Sequence, residues 1–166
     1  MKLYTIESAY IEYLKKFQPH IWENKENNRL RPYVGVVLHI GKHKYYAPLS
    51  SPKPKHRNMT DRLDFIKLEH KGILIAAINL NNMIPVADKL VSLIDIKNLT
   101  DQRYKDLLNV EMIDIRRKST IISKNANTIY NKVTKFYDEP KNARLLSLCY
   151  DFLLLEQKLQ EYLARK

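Results

Sequence analysis

One cysteine, three glycines and no long apolar run among 166 residues exclude several classes of protein at the outset. Cys149 stands alone, so no internal disulfide forms and a disulfide-framed fold is ruled out. The first residues, Met1-Lys2-Leu3-Tyr4-Thr5-Ile6-Glu7, lack the apolar core of a signal peptide, and a reducing cytoplasm is the expected location. The longest unbroken apolar run, Ile73 to Ile78, falls far short of the roughly 20 residues that a membrane-spanning helix needs, so no membrane role is expected. Gly35, Gly41 and Gly72 do not build a Gly-rich phosphate loop, which excludes nucleotide hydrolysis of the P-loop kind. There is no Cys-x-x-Cys, His-Glu-x-x-His or Asp-rich loop, and His20, His39, His43, His56 and His70 show no metal-ligand spacing. Neither a metal nor a cofactor is expected. Ser51 has no Gly-x-Ser-x-Gly setting, although a triad assembled in space stays open.

Negative charge is missing from one stretch. The chain carries 29 Lys and Arg against 18 Asp and Glu, a net charge of +11, yet between Glu26 and Asp61 there is no carboxylate at all. Arg29, Arg31, Lys42, Lys44, Lys53, Lys55 and Arg57 fall in that interval, interleaved with Tyr33, Tyr45, Tyr46, His39, His43 and His56. Cations between rings suit RNA, whose phosphates need positive charge and whose unpaired bases stack on aromatic faces. A merely solubilising surface mixes both signs, and this interval does not.

The hydrophobic content, 45%, supports one core and argues against disorder along the chain. Ser8 reads as the N-cap of a short helix over Ala9 to Phe17, ended by Pro19. His20 to Arg31 is polar, Asn-rich and loop-like, with one Trp. Tyr33 to Ile40 and His43 to Leu49 read as a hairpin joined by a type II′ turn at Gly41-Lys42, with Gly where φ must be positive. Pro52 and Pro54 then exclude helix and central strand, which puts the basic cluster on a loop leaving a strand. Asp64 to Leu68, Gly72 to Leu80, Met83 to Val86 and Lys89 to Asp95 read as further short strands. After Thr100, apolar residues from Leu108 to Tyr137 recur at steps of three and four, as one amphipathic helix or two in register. A last stripe runs from Leu145 to Tyr162. His43, beside the turn, is expected at the surface, and Cys149 as a small buried hydrophobe.

RNA is the one substrate that carries its own nucleophile, the 2′-OH. A site that cleaves it needs a base, an acid and cations for the charged transition state, all available from Lys, Arg, His, Tyr and Ser. These residue types crowd between Arg31 and Arg57.

Several segments, in order and at similar spacing, resemble the ToxN/AbiQ endoribonuclease toxins of bacterial type III toxin-antitoxin and phage-defence systems. They are Lys2-Leu3-Tyr4-Thr5-Ile6; Arg31-Pro32-Tyr33-Val34-Gly35-Val36-Val37-Leu38; His43-Lys44-Tyr45-Tyr46-Ala47-Pro48-Leu49-Ser50-Ser51-Pro52-Lys53; Ala77-Ile78-Asn79-Leu80; and Met83-Ile84-Pro85-Val86. The resemblance implies an α+β fold: a compact, strongly curved antiparallel sheet, a small barrel similar to the MazF/Kid toxins, packed with several helices, the longest in the C-terminal half. It implies a single toxin domain over residues 1–166, sheet-rich over 1–98 and helical over 101–166. The implied activity is sequence-selective, metal-independent RNA cleavage leaving 2′,3′-cyclic phosphate and 5′-OH ends.

By the same resemblance Ser51 and Lys53 map onto the family's active-site Ser and Lys, and Arg31 onto a basic residue before the first sheet strand, here assigned to phosphate binding. Ser50 maps onto a neighbouring hydroxyl position and His56 onto a downstream His. With Lys42, Lys44, Lys55, Arg57, Tyr33 and Tyr46 these form the expected RNA-binding set; Tyr33, Tyr45 and Tyr46 alternate faces, so at least one is expected in the core. Asn27 stands where a relative has Tyr and receives no role. The implied partners are cellular and phage RNA and a structured antitoxin RNA, a short pseudoknot repeat processed by the protein and retained in a protein–RNA hetero-oligomer. Two alternatives stay open on the residues alone: a non-catalytic RNA-binding regulator, and a protein-interaction domain built on the long helices.

Overall fold

The structure, a computed structural model, describes residues 1–26 and 29–165, the side chain of Glu26 excepted. In chain order the elements are β1 (Lys2–Ile6), α1 (Ser8–Lys15), β2 (Lys25–Glu26), β3 (Arg29–Leu30), β4 (Tyr33–Ile40), β5 (His43–Ser50), β6 (Phe65–His70), β7 (Ile73–Asn79), β8 (Ile84–Pro85), β9 (Val91–Leu93), α2 (Gln102–Arg117), α3 (Ser119–Thr134), α4 (Ala143–Leu148) and α5 (Phe152–Ala164). The fold is α+β. One sheet runs in the order β6-β7-β5-β4-β1-β9, with β8 also paired to β5 and every pairing antiparallel. Its ends, β6 and β9, are not paired to each other, so the curved sheet stays open.

The curvature originates in β5. Along one edge it follows β4; along the other, Tyr45 and Tyr46 pair with Pro85 and Ile84 of β8, whereas Leu49 and Ser50 pair with Ile78 and Ala77 of β7. The change of partner falls at Ala47-Pro48, and proline, which has no N–H to donate, is tolerated within sheets at such interruptions. A register shift between Gly35 and Leu38 bends β4 as well. Gly35 is required there because a Cβ would collide with the ring of Tyr46.

The β4–β5 hairpin forms as its residues predict, with Gly41 at φ +55°. The β6–β7 connection differs from the sequence reading: Lys71 at φ +50° and Gly72 at φ +76° form a two-residue turn of the I′ kind, so Gly72 belongs to the turn and not to a strand. Ser8 is the first residue of α1, not its cap. Its Oγ instead accepts from Asn24 Nδ2 at 3.0 Å, which fastens the 20–31 segment to the helix. Within that segment β2 and β3 pair as a small ribbon, which the Asn-rich sequence did not announce.

The long apolar stripe is two helices broken at Lys118, and the last stripe is also two, α5 being capped by Asp151, which accepts from Leu154 N at 3.0 Å. Leu108, Met112 and Ile115 of α2 and Ile122, Ala126 and Ile129 of α3 are buried, whereas Tyr137 lies past the end of α3 and is exposed. Each such Leu, Ile or Met side chain removed from water contributes about 1.5–3 kcal/mol before entropy is charged. Buried Asp114 locks α2 to the sheet: it accepts from Glu69 N at 2.8 Å and from Arg117 Nε at 2.8 Å, and it pairs with Lys118 at 3.2 Å. Among the described residues no helix is long and apolar enough to cross a membrane.

Candidate active site

β5 delivers its last residue, Ser50, into the protein and the next, Ser51, to the surface. The Ser50 side chain is buried; its hydroxyl accepts from Asn79 Nδ2 at 3.1 Å and donates to Ala77 O at 3.4 Å, so it fixes the strand end and is not presented to a ligand. Ser51, Pro52 and Lys53 are exposed. A 3₁₀ turn over Pro54–Asn58 then carries the chain away, with Pro54 in its first turn, where the missing N–H has no partner to lose.

His56 stabilises that turn from within. Its Nδ1 accepts from Lys53 N at 3.2 Å, and its backbone N–H donates to Lys53 O at 2.8 Å. The buried ring meets Phe65 edge-to-face at 4.9 Å. Burial, then the charges of Lys55, Lys53 and Lys67, lower its pKa, so the ring is held neutral. His56 therefore shapes the loop that carries Lys53 and does not reach outward toward RNA.

Arg31 approaches from the other wall. Its Nε donates to Glu23 O at 3.0 Å and its Nη1 to Leu49 O at 3.2 Å, so two carbonyls fix the guanidinium, which lies 4.9 Å from the centre of the Trp22 ring. The Lys53 ammonium stands 5.9 Å from the same ring. Trp22 is itself anchored: its backbone N–H donates to the Tyr150 hydroxyl at 3.1 Å, which donates to His20 O at 3.0 Å. Trp22, Glu23, Arg31, Ser50 and Lys53 line one depression of the surface. A second cavity opens beyond Ser50 and Ser51, walled by the Arg29–Pro32 segment and by α2. The two meet at Ser50, which lines both, and so make up one groove, with Arg31 and Lys53 in its first part and Ser51 and α2 in its second.

The remaining expected RNA-binding residues are divided. Lys55 and Arg57 are exposed on the 3₁₀ turn, close in sequence to Lys53. Lys42 and Lys44 lie at the hairpin tip, seven residues from Ser51 in the case of Lys44, about 23 Å along an extended strand. There Lys44 pairs with Asp88 at 2.6 Å and Lys42 donates to Gln160 at 2.7 Å. Tyr33 and Tyr46 are both core residues, too buried to stack on a base; Tyr46 packs edge-on against Tyr4 at 5.3 Å, and burial pushes its hydroxyl up to about 12. The alternation along strands left one of these rings outside the core, but curvature of the sheet buries both faces here. His43 is not at the surface either: its side chain is 12% exposed, beside Glu156 at 3.9 Å. Asn27 lies outside the described residues.

Three residues of the groove, and Asn79 behind Ser50, escaped sequence reasoning. Trp22, the only Trp, was visible as an oddity in a polar loop. Asn79 lay inside a segment that carried the family resemblance. Tyr104 and Glu111 gave no local signal, because α2 reaches the site only through the tertiary fold. Among the described residues no group of three or more His, Cys, Asp or Glu side chains is placed to hold a metal ion.

Comparison with known proteins supplies a context for this geometry. Residues 2–160 match the family described as "Toxin ToxN, type III toxin-antitoxin system". The Endoribonuclease ToxN of Pectobacterium atrosepticum is 36% identical over 98% of this chain and 94% of its own length. The Endoribonuclease ToxN of Bacillus thuringiensis subsp. kurstaki is 32% identical over 99% and 85%, and the Endoribonuclease AbiQ of Lactococcus lactis subsp. lactis 30% over 98% and 89%. Among solved structures, one described as "A processed non-coding RNA regulates a bacterial antiviral system" superposes with a TM-score of 0.84 at 35% identity, covering 97% of this chain and 98% of that one. Another, described as "New insights into the mechanism of bacterial Type III toxin-antitoxin systems: selective toxin inhibition by a non-coding RNA pseudoknot", superposes at 0.87 with 31% identity, covering 97% and 96%. With the fold and the near full-length similarity in agreement, the chain belongs to the ToxN toxin family of type III toxin-antitoxin systems and is an endoribonuclease.

Proposed function

We propose that the protein cleaves single-stranded RNA without a divalent metal, by attack of a ribose 2′-OH on the adjacent phosphorus. The O2′–P bond forms as the P–O5′ bond breaks; the 2′-OH proton passes to a base in the groove, and the departing 5′-oxygen takes up a proton. The products carry 2′,3′-cyclic phosphate and 5′-OH ends. The observation that carries this reading is the placement of Lys53 and Arg31 in one depression and of Ser51 in the adjoining one, the two sharing Ser50 at the end of β5.

Each residue has a distinct part. Lys53, among the described residues paired with no carboxylate, stabilises the charge that develops on the phosphate oxygens. Ser51 donates a hydrogen bond to a phosphate oxygen. Arg31 is held by two backbone carbonyls and supplies fixed positive charge that needs no reorganisation as the reaction proceeds. Lys55 and Arg57 draw the flanking phosphates.

The inhibitor in this reading is a structured RNA, cut by the protein from a repeated precursor and retained as bound product in a protein–RNA assembly that acts in phage defence. The pseudoknot named for one structural relative supports it, as does the charge of +11. Many distributed phosphate contacts slow release of such a product. The test incubates purified protein with RNA in EDTA and maps the ends. Cutting with cyclic phosphate and 5′-OH ends supports the mechanism; cutting that requires added Mg²⁺ or leaves 5′-phosphates overturns it. Expression with the upstream DNA should yield a discrete short RNA that co-elutes with the protein, and co-elution of a small acidic protein instead would overturn the RNA inhibitor.

A further inference from the structure

The backbone of Lys53 is fixed by His56, which takes the Lys53 N–H at Nδ1 and gives its own N–H to the Lys53 carbonyl. The side chain is exposed, and a flexible four-carbon stem lets an ammonium wander unless something holds the head. The fold brings the ring of Trp22 to it. We infer that Trp22 is a positioning residue for cleavage, its indole face holding the Lys53 ammonium beside the Arg31 guanidinium where the phosphate is met. The inference rests on the assignment of Lys53 to the cleavage centre.

The segment that presents Trp22 is pinned on both sides. Before it, Ile21 is buried and its N–H donates to Gln18 O at 3.0 Å. After it, buried Asn24 donates through Nδ2 to Ile6 O at 2.9 Å, and its carbonyl accepts from Arg31 N at 2.7 Å. With the Trp22 N–H tied to Tyr150 as well, the half-buried ring sits on a fixed backbone. Arg31 is oriented apart from the ring, by Glu23 O and Leu49 O. Lys53 is the cation of the pair whose direction depends on Trp22. Glu23 lines the same depression, but its carboxylate is exposed and pairs with Lys15 of α1.

The face of an indole is negative, and a cation within about 6 Å of its centre is drawn to it. The Lys53 ammonium at 5.9 Å and the Arg31 guanidinium at 4.9 Å both fall inside that range. The ring carries no net charge, so it orders the ammonium and offsets part of the repulsion between the two cations without opposing an incoming phosphate. Its benefit is greatest as charge develops on the phosphate oxygens, and it belongs to the rate more than to binding.

The test measures single-turnover cleavage of one RNA over a range of protein concentrations, for the wild type, Trp22→Phe, Trp22→Leu, Lys53→Met and the double variant Trp22→Leu/Lys53→Met, with thermal melting as the folding control. Trp22→Leu should lower the limiting rate about 5- to 30-fold, the span of a cation–π contact, and leave the half-saturating concentration within about twofold. Trp22→Phe keeps a π face and should recover most of that rate. In the Lys53→Met background, Trp22→Leu should change the rate by less than about twofold. The same loss in both backgrounds would overturn positioning through Lys53, as would a Trp22→Phe as slow as Trp22→Leu. A loss carried by the half-saturating concentration would make the ring a contact of the RNA itself and overturn it too. Trp22 is the only Trp, so the emission of the wild type reads this ring alone. Lys53→Met removes the ammonium and should shift that emission; an unchanged spectrum would overturn the contact even where the Trp22 variants fail to fold. Wild-type cleavage by Lys53→Met is a separate failure, which overturns the assignment of Lys53 to the cleavage centre and the positioning with it.

Discussion

The two ends of β5 draw on the same carboxylate-free stretch of sequence and meet opposite fates. At the hairpin tip the fold brings in partners from far along the chain, so that Asp88 takes Lys44, Gln160 takes Lys42 and Glu156 stands beside His43. At the other end Arg31 and Lys53 gather around the face of Trp22, and the groups that hold Arg31 include the backbone carbonyls of Glu23 and Leu49. Lys44 has a carboxylate beside it, whereas Lys53, among the described residues, has none. The difference teaches that a run of basic residues marks a candidate anion-binding site only at those members that the tertiary structure leaves uncompensated.

The strongest way to break this comparison is to displace α2, which walls the groove but not the tip. Asp114→Ala leaves Arg117, Lys118 and the Glu69 N–H without their shared acceptor, and it should cost about 3–5 kcal/mol in a denaturant titration. Next in size, Ser51→Ala should lower single-turnover cleavage by roughly 10²-fold, the scale of one lost transition-state donor, at unchanged melting temperature. Charge reversal sharpens the contrast further. Lys55→Glu and Arg57→Glu should each flatten the salt dependence of RNA binding by about 0.7 in log–log slope, whereas Lys42→Glu and Lys44→Glu should leave it unchanged. Equal flattening from both pairs would mean that the charge acts diffusely.

The smallest effect concerns pH. Burial and the neighbouring lysines lower the His56 pKa below its ordinary 6.5, so the folded state prefers the neutral ring. Its contribution is present in full above the unfolded-state pKa and is lost as acid protonates the ring, down through the depressed folded value. Thermal melts of the wild type should therefore fall as the pH drops below about 6.5 and through the depressed folded value, and His56→Gln should flatten that decline. A steeper decline in the variant would contradict the assignment.

Local rules made the β4–β5 hairpin legible, since β-branched and aromatic residues flank a glycine that needs positive φ. The second hairpin was misread by one residue because Lys71 adopts a left-handed conformation that sequence does not expect of lysine. Whether the long stripe was one helix or two was equally hidden: Lys118 breaks it without a Gly or Pro, and the break is held by the packing of Asp114 on β6. The Ala-Pro-Leu-Ser-Ser-Pro-Lys segment made Ser51 and Lys53 legible as candidates, and the structure leaves both exposed. Its neighbours Ser50 and His56 share that segment, yet their roles depend on Asn79 and Phe65, which reach them only through the sheet. Tyr33 and Tyr46 were misassigned because alternation assumes a flat sheet with one wet face.

The central claim is that chemistry belongs to the groove end of β5 and not to the tip. Single-turnover cleavage of one RNA by Lys53→Ala and Lys44→Ala, measured side by side in EDTA, tests it most directly. The account predicts a loss of roughly 10²-fold or more for Lys53→Ala and a change within about threefold for Lys44→Ala. Equal losses in the two variants, or wild-type turnover in Lys53→Ala, would contradict it.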